Sequence, residues 1–275
     1  MADLMHMVVE NYNEVLERQK DPVVDTWLFM KSPLPVVAIL ASYLYFVLKL
    51  GPQLMEKRKA FNLTYVLIGY NAYQVVFSTW LCAQVFQEAN ISDIFFQSCN
   101  AAVTNTSLRM ALANGAWWYF FSKVVELLDT VFFVLRKKQS QVTFLHVYHH
   151  ANTMFFSWVY LKFLPGSQGI IIGFLNSAVH VVMYFYYFIS SLGPKYQKYL
   201  WWKKYMTWIQ LTQFCLMLLY LISVIAMDCK VPKALTFFFV THVIIFLYLF
   251  ADFYKKAYKK QRTEVMERSD SSKIQ

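Results

Sequence analysis

Charge is scarce in this sequence. Only 15% of its 275 residues are Asp, Glu, Lys or Arg, against 58% hydrophobic and 19% aromatic, too little polar surface to coat a soluble globule. A water-soluble enzyme or binding module is thereby excluded, and the chain reads as a membrane protein. Acidic residues are the scarcer sign, 16 against 26 basic ones, for a net charge of +10. That excess has two readings: basic residues held on the cytosolic side and drawn to anionic lipid, or a basic cytosolic mouth that attracts a polyanionic substrate. The first 33 residues lack an apolar stretch of about 7–15 residues after a basic start, so no cleavable signal is expected and the first span serves as targeting element. Composition breaks, long Gly/Ser/Pro linkers, heptad repeats and internal duplications are also lacking between residues 34 and 254. One helical membrane domain is expected over 34–254, between a short lumenal arm at 1–33 and a disordered basic tail at 255–275.

Apolar stretches of about 20 residues, enough to cross a hydrocarbon core of roughly 30 Å, lie near residues 34–50, 63–86, 111–135, 142–164, 168–192, 205–227 and 234–254. Hydropathy alone stops at five, because the third contains Lys123, Glu126 and Asp129 and the fourth His146, His149 and His150. Charge supports seven. With seven spans, 18 Lys and Arg fall on one side and 7 on the other, Lys123 lying inside a span, so the N-terminus is expected in the lumen and the C-terminus in the cytosol. Of the four cysteines, Cys82 and Cys215 fall in spans, whereas Cys99 and Cys229 fall in two lumenal loops where an oxidising compartment favours a disulfide between them. The sequons at Asn90 and Asn105 are lumenal on this topology, and that at Asn62 is cytosolic.

Ionisable groups in spans are costly and mark a function or a buried pairing. In the third span, Lys123, Glu126, Asp129 and Thr130 share an arc of about 120°. Lys123 and Glu126 make either a self-neutralising pair or part of a substrate site, while Asp129, with no basic residue three or four positions away in sequence, suits the orienting of a histidine. The fourth span opens His-Val-Tyr-His-His, which converges His146, His149 and His150 within about 100°. Three imidazoles so placed serve metal ligation or acid, base and nucleophile chemistry. In the fifth span Asn176, His180, Met183, Tyr184 and Tyr187 follow one face, and in the sixth Thr207, Gln210 and Gln213 recur every third residue. Interhelical hydrogen bonding is the competing explanation for these tyrosines and glutamines. At 1.5 Å per residue, Asp129, His149, His180 and Gln210 lie roughly 10–20 Å from the cytosolic flanks, and that agreement in depth implies a shared cavity open to the cytosol.

With these residues in hand, the sequence resembles the eukaryotic very-long-chain fatty acid elongases, animal branch, over nearly all of residues 30–260. The motifs K-x-x-E-x-x-D-T from Lys123, H-x-x-H-H from His146, H-x-x-M-Y from His180 and T-x-x-Q-x-x-Q from Thr207 appear in the family's order. Departures are Ala60, where the family usually has proline, and the ending Ser-Ser-Lys-Ile-Gln, in which only Lys273 fits a dilysine-type retrieval signal. The resemblance implies an all-α membrane protein of the endoplasmic reticulum, with seven transmembrane helices, six of them around a substrate tunnel. It implies condensation of a long-chain acyl-CoA with malonyl-CoA to 3-oxoacyl-CoA, CO2 and CoA. No cofactor and no metal are implied. Partners would be the two CoA esters, membrane lipid, and the reductases and dehydratase of the cycle, with room for a homo-oligomer and no nucleic acid. By resemblance His149 is the nucleophile and His180 its partner or base, with His150, His146 and Asp129 beside them. Lys123, Glu126, Asn176, Tyr184, Tyr187, Gln210, Gln213, Arg136 and Lys204 would line the substrate site, the last two toward CoA phosphates. Imidazole is nucleophilic enough to accept an acyl group from a thioester without a redox cofactor. The rival is a membrane di-iron desaturase or hydroxylase, which also carries an H-x-x-H-H box. Such enzymes use about eight histidines, and this chain has six, His6 lying outside the spans. A transporter would call for broken helices or a repeat, and neither is evident.

Overall fold

A computed structural model describes residues 21–88, 94, 99, 106–166, 169–229, 231 and 233–256. Among the described residues every regular element is helical. The long ones are α1 (Leu34–Glu56), then α2 (Thr64–Glu88), α3 (Thr106–Leu135), α4 (Phe144–Phe163), α5 (Gly169–Ser191), α6 (Lys203–Ala226) and α7 (Lys233–Tyr254). By length and composition α1, α5, α6 and the Leu235–Tyr254 part of α7 can cross a membrane, which makes this a multi-pass membrane protein. Helices α2, α3 and α4 are of comparable length, but internal polar residues such as Gln74, Lys123 and His149 dilute their apolar character. The sequons at Asn90 and Asn105 and the tail from residue 257 lie outside the described residues. Cys82 and Cys215 are free thiols, whereas Cys99 and Cys229 are disulfide-bonded.

The chain divides into two compact units. The described residues of Met1–Leu63 and Ala83–Gly173 form the first. Its core runs along three helices at intervals of seven: Val36 and Tyr43 on α1, Ala113, Phe120, Leu127 and Val134 on α3, Val147, Met154 and Leu161 on α4. Seven residues make almost two turns, so each row stays on one side of its helix, as in the packing of gently crossed helices. The heptad pattern that composition hides is therefore present in the buried positions. It escapes a reading by hydropathy because the lipid-facing positions are equally apolar.

Within α1, Phe46–Leu50 forms a π turn, and the Gly51 N–H reaches the carbonyl of Phe46. Pro52 supplies the reason. It has no N–H for the carbonyl of Leu48 and its ring needs room there, so a wider turn lets the helix continue to Glu56. The same turn lies against α3. A Cβ on Gly51 would stand 2.7 Å from Val134 Cγ1 and 2.8 Å from the Phe46 carbonyl oxygen. Gly51→Ala is accordingly expected to destabilise the protein by about 1–3 kcal/mol, read as a fall in the melting midpoint in detergent. An unchanged midpoint would refute this close approach.

Residues 21–33 are docked on the first unit. Val24 and Met30 are fully buried in its core. Trp117 and Trp158 donate their indole N–H groups to the carbonyls of Leu28 and Phe29, at 3.1 and 2.8 Å. Arg109 pairs with Asp21, and Lys162 pairs with Asp25 while also donating to the Met30 carbonyl at 2.9 Å. These contacts hold Phe29 in the left-handed region, φ 68°, with its ring edge-on to Phe120 at 6.4 Å. Burial raises the Asp21 carboxyl pKa, but the Arg109 guanidinium and the N–H groups of Val23 and Val24 outweigh it and hold the value below the usual range. A depressed folded value means that the charged form favours the docked arm at neutral pH, a contribution lost as pH falls through it.

The second unit comprises the described residues of Thr64–Cys82 and Phe174–Gln275. Helices α6 and α7 pack along Phe214, which stacks on Phe246 at 5.8 Å and meets Phe250 at 5.0 Å. Trp208 donates to the Tyr254 hydroxyl at 3.1 Å. Their outward faces carry exposed Leu219, Ile222, Phe237 and Ile244, an apolar exterior suited to lipid contact.

Candidate active site

In the first unit the polar residues of α3 and α4 meet inside the helix cluster. The Lys123 ammonium donates to both Glu126 carboxylate oxygens, at 2.7 and 3.0 Å, and lies 4.7 Å from the centre of the Tyr119 ring. Both partners of the pair are 2% exposed. One turn on, Thr130 is fully buried and joins two hydrogen bonds, with the Tyr43 hydroxyl at 2.8 Å and with His146 Nε2 at 3.0 Å. Sequence reasoning gave Thr130 no role beyond its place on the face and passed over Tyr43, which arrives from α1.

Thr143 caps the N-terminus of α4, its hydroxyl accepting the His146 N–H at 3.2 Å. That cap fixes where the helix begins and so which way the next imidazoles point. The rings of His146 and His150 lie 4.3 Å apart, and those of His149 and His150 lie edge to face at 5.6 Å. Phe133 packs against His146 at 5.1 Å. The Thr153 hydroxyl donates to the His149 carbonyl at 2.8 Å, tying down the turn from below. The three imidazoles therefore differ in setting: His150 is buried, His146 is held by Thr130, and His149 is half-buried, as is Asp129 on α3.

Further polar residues gather in the second unit. His180 and Asn176 are buried on α5, and the fully buried Tyr184 sets its ring edge-on to His180 at 5.6 Å. Tyr187 is exposed and touches Tyr184 at 6.0 Å. On α6 the amides spend their N–H groups on sulfur: Gln210 on Met183 at 3.8 Å, and buried Gln213 on Met217 at 3.7 Å. Thioether sulfur is a weak acceptor, so these amides keep hydrogen-bonding capacity. A polar row on α2 was missed although its spacing was readable: Asn71, Gln74 and Ser78 follow steps of three and four and are all buried.

Toward the ends of the helices, Arg136 is half-buried and Lys204 exposed, its ammonium 5.0 Å from the Tyr205 ring centre. Lys137 instead donates to the carbonyls of Glu56 and Arg58, at 3.1 and 2.9 Å, capping α1. Among the described residues no group of three or more His, Cys, Asp or Glu is arranged to hold a metal ion.

Clustered imidazoles, one of them bonded to a buried hydroxyl, suit acyl transfer and proton movement. The chain is similar over most of its length to known proteins. The ELO: GNS1/SUR4 family profile matches residues 28–265. The chain is 42% identical over 261 residues to very long chain fatty acid elongase 7 of Rattus norvegicus, covering 94% of this chain and 92% of that one. It is 41% identical over 266 residues to very long chain fatty acid elongase 7 of Drosophila melanogaster, with 94% and 79% covered. With very long chain fatty acid elongase 4 of Homo sapiens it shares 39% identity over 242 residues, with 88% and 77% covered. A match of that extent, carrying motifs whose side chains are gathered inside the helical units, makes this chain a member of the ELO (GNS1/SUR4) family.

Proposed function

We propose that the protein is a fatty acid elongase that condenses a long-chain acyl-CoA with malonyl-CoA. The observation that carries this reading is the trio of imidazoles on the first turns of α4, where Thr130 bonds the His146 ring and Thr153 the His149 main-chain carbonyl, in a chain of this family. In the first half-reaction a nitrogen lone pair of His149 attacks the acyl thioester carbonyl. The C–S bond breaks, the acyl group stays on the imidazole, and the CoA sulfur leaves with the proton that the imidazole gives up. In the second, malonyl-CoA loses CO2. The electron pair of the broken C–C bond forms an enolate that attacks the held acyl carbon. The C–N bond breaks, its electron pair returns to the imidazole, which takes up a proton from water, and 3-oxoacyl-CoA is released. His180 serves as partner or base. His150 and Asp129 orient His149, with His146 beside them, and Asn176, Tyr184, Tyr187, Gln210 and Gln213 line the substrate site, with Arg136 and Lys204 toward the CoA phosphates. The Lys123–Glu126 pair forms part of the same lining.

The architecture that goes with this chemistry has seven membrane-spanning helices, six of them around a tunnel that excludes water from both reactive species. The protein would sit in the endoplasmic reticulum membrane, N-terminus lumenal, C-terminus cytosolic, Cys99 and Cys229 linked to each other on the lumenal side, and the reductases and dehydratase of the cycle nearby. Purified protein given an acyl-CoA and labelled malonyl-CoA should release one labelled CO2 per 3-oxoacyl-CoA formed. Neither product would appear if the assignment were wrong. Acyl transfer by imidazole uses no metal, so full turnover is expected to survive chelator. Loss on stripping, with recovery on iron alone, would favour the di-iron oxidation chemistry of a desaturase.

A further inference from the structure

Helix α2 presents an inverted pattern. Its exposed side is mostly apolar or aromatic, with Tyr65 and Val76 its most exposed large hydrophobic residues, while Asn71, Gln74 and Ser78 are buried, at 5%, 1% and 5% exposed. A membrane helix pays desolvation for every buried amide and hydroxyl, so a buried polar row calls for a use. No motif discussed above lies on this helix.

Gln74 shows the use most directly. Its side-chain nitrogen donates to the Tyr70 hydroxyl at 3.0 Å, one turn back on the same helix. Tyr70 meets Tyr184 ring edge to ring face, centroids 6.1 Å apart at 83°. Tyr184 is fully buried and meets His180 in the same manner at 5.6 Å and 71°. All four residues belong to the second unit, so the series Gln74, Tyr70, Tyr184, His180 is continuous within one compact body. Each step restricts the next. The hydrogen bond fixes the Tyr70 ring, whose edge limits the tilt of Tyr184, and a ring with no space to turn holds the plane of the imidazole. Edge-to-face pairs are directional and lose their advantage when one ring rotates. Because Gln74 is the donor, the Tyr70 hydroxyl also keeps its own proton to give.

We infer that Gln74 is a positioning residue for His180, acting through Tyr70 and Tyr184, so that α2 serves the condensation step although it contributes no group to the reacting atoms. The inference rests on the proposed function, in which His180 is the partner or base. Groups that orient an imidazole elsewhere, at metal centres, change function by about 10- to 100-fold when removed, and that range sets the expectation.

The test compares Gln74→Leu, which keeps bulk and removes the donor, with Tyr70→Phe, which keeps the ring and removes the acceptor, and with the double variant. Val76→Ala, on the exposed side of α2, is the control. Condensation is measured with acyl-CoA and labelled malonyl-CoA on purified protein. Each single variant should lower kcat about 10- to 100-fold with KM for both esters within twofold of wild type. The double variant should be no worse than the poorer single one, because both remove the same bond. Val76→Ala should match wild type. A loss confined to KM, additive losses in the double variant, or wild-type kcat in Tyr70→Phe would overturn the inference. Should Gln74→Leu fail to purify as a monodisperse species, Tyr70→Phe decides alone, since it leaves helix and ring in place. If wild type itself makes no 3-oxoacyl-CoA, it is the proposed function that has failed, and that outcome is separate from all of these.

Discussion

Wild-type protein incubated with acyl-CoA alone is expected to release free CoA and gain the mass of one acyl chain, and His149→Ala is expected to do neither. The reason lies in the order of events. One acyl group must be held while the second ester enters, and a covalent bond to an imidazole holds it without a cofactor. Turnover of His149→Ala should fall on the order of a thousandfold or more, the scale on which loss of a covalent nucleophile is felt. His150→Ala should cost about 10- to 100-fold, as for a group that orients rather than reacts, since the buried His150 ring touches both His146 and His149. His180→Ala should impair condensation. A mechanism in which both esters bind before any bond forms predicts instead that no CoA appears until malonyl-CoA is added. Intact-mass measurement separates the two: an unmodified wild-type protein, or an acylated His149→Ala, would remove His149 as nucleophile.

The second large effect is on stability. Lys123→Met is expected to destabilise the protein by about 3–5 kcal/mol, because it leaves the Glu126 carboxylate buried opposite an apolar group. Glu126→Leu should be comparably harmful for the mirror reason. Replacing both by Met and Leu should recover most of the loss, since a buried ion pair is often worth no more than apolar packing of the same volume. Melting midpoints in detergent give the comparison. Activity of the double variant then decides what the pair is for. Normal folding with lost turnover places Lys123 and Glu126 in the substrate site, and normal folding with normal turnover leaves them a structural role.

Much of the helical layout was legible from sequence because the spans end at clear signals. The fourth and fifth apolar stretches, read as 142–164 and 168–192, emerge as Phe144–Phe163 and Gly169–Ser191. Two bounds moved further, and each has a cause. Helix α3 begins at Thr106 rather than 111, including the polar Ser107 and Arg109, because Arg109 is paired with Asp21. Helix α1 runs past Gly51 and Pro52 because the π turn absorbs the proline. The histidine cluster was readable from its spacing alone. The bond between Tyr43 and Thr130 was not, since 87 residues separate them and both side chains have ordinary uses elsewhere. The amide row of α2 had the spacing of a helix face but no charge, and a search led by ionisable residues passed it by.

The docked arm has a consequence for how the chain is made. Asp25 must wait for Lys162, 137 residues downstream, and Asp21 for Arg109, 88 residues downstream. At about 5–20 residues per second, the first of these intervals is on the order of ten seconds. During that time the two aspartates stand without their cations, and Val24 and Met30 without the core that later encloses them. The first unit is therefore completed by residues 21–33 only after α4 has been synthesised, and a nascent chain halted before Lys162 exposes Val24 and Met30, which the finished protein keeps buried.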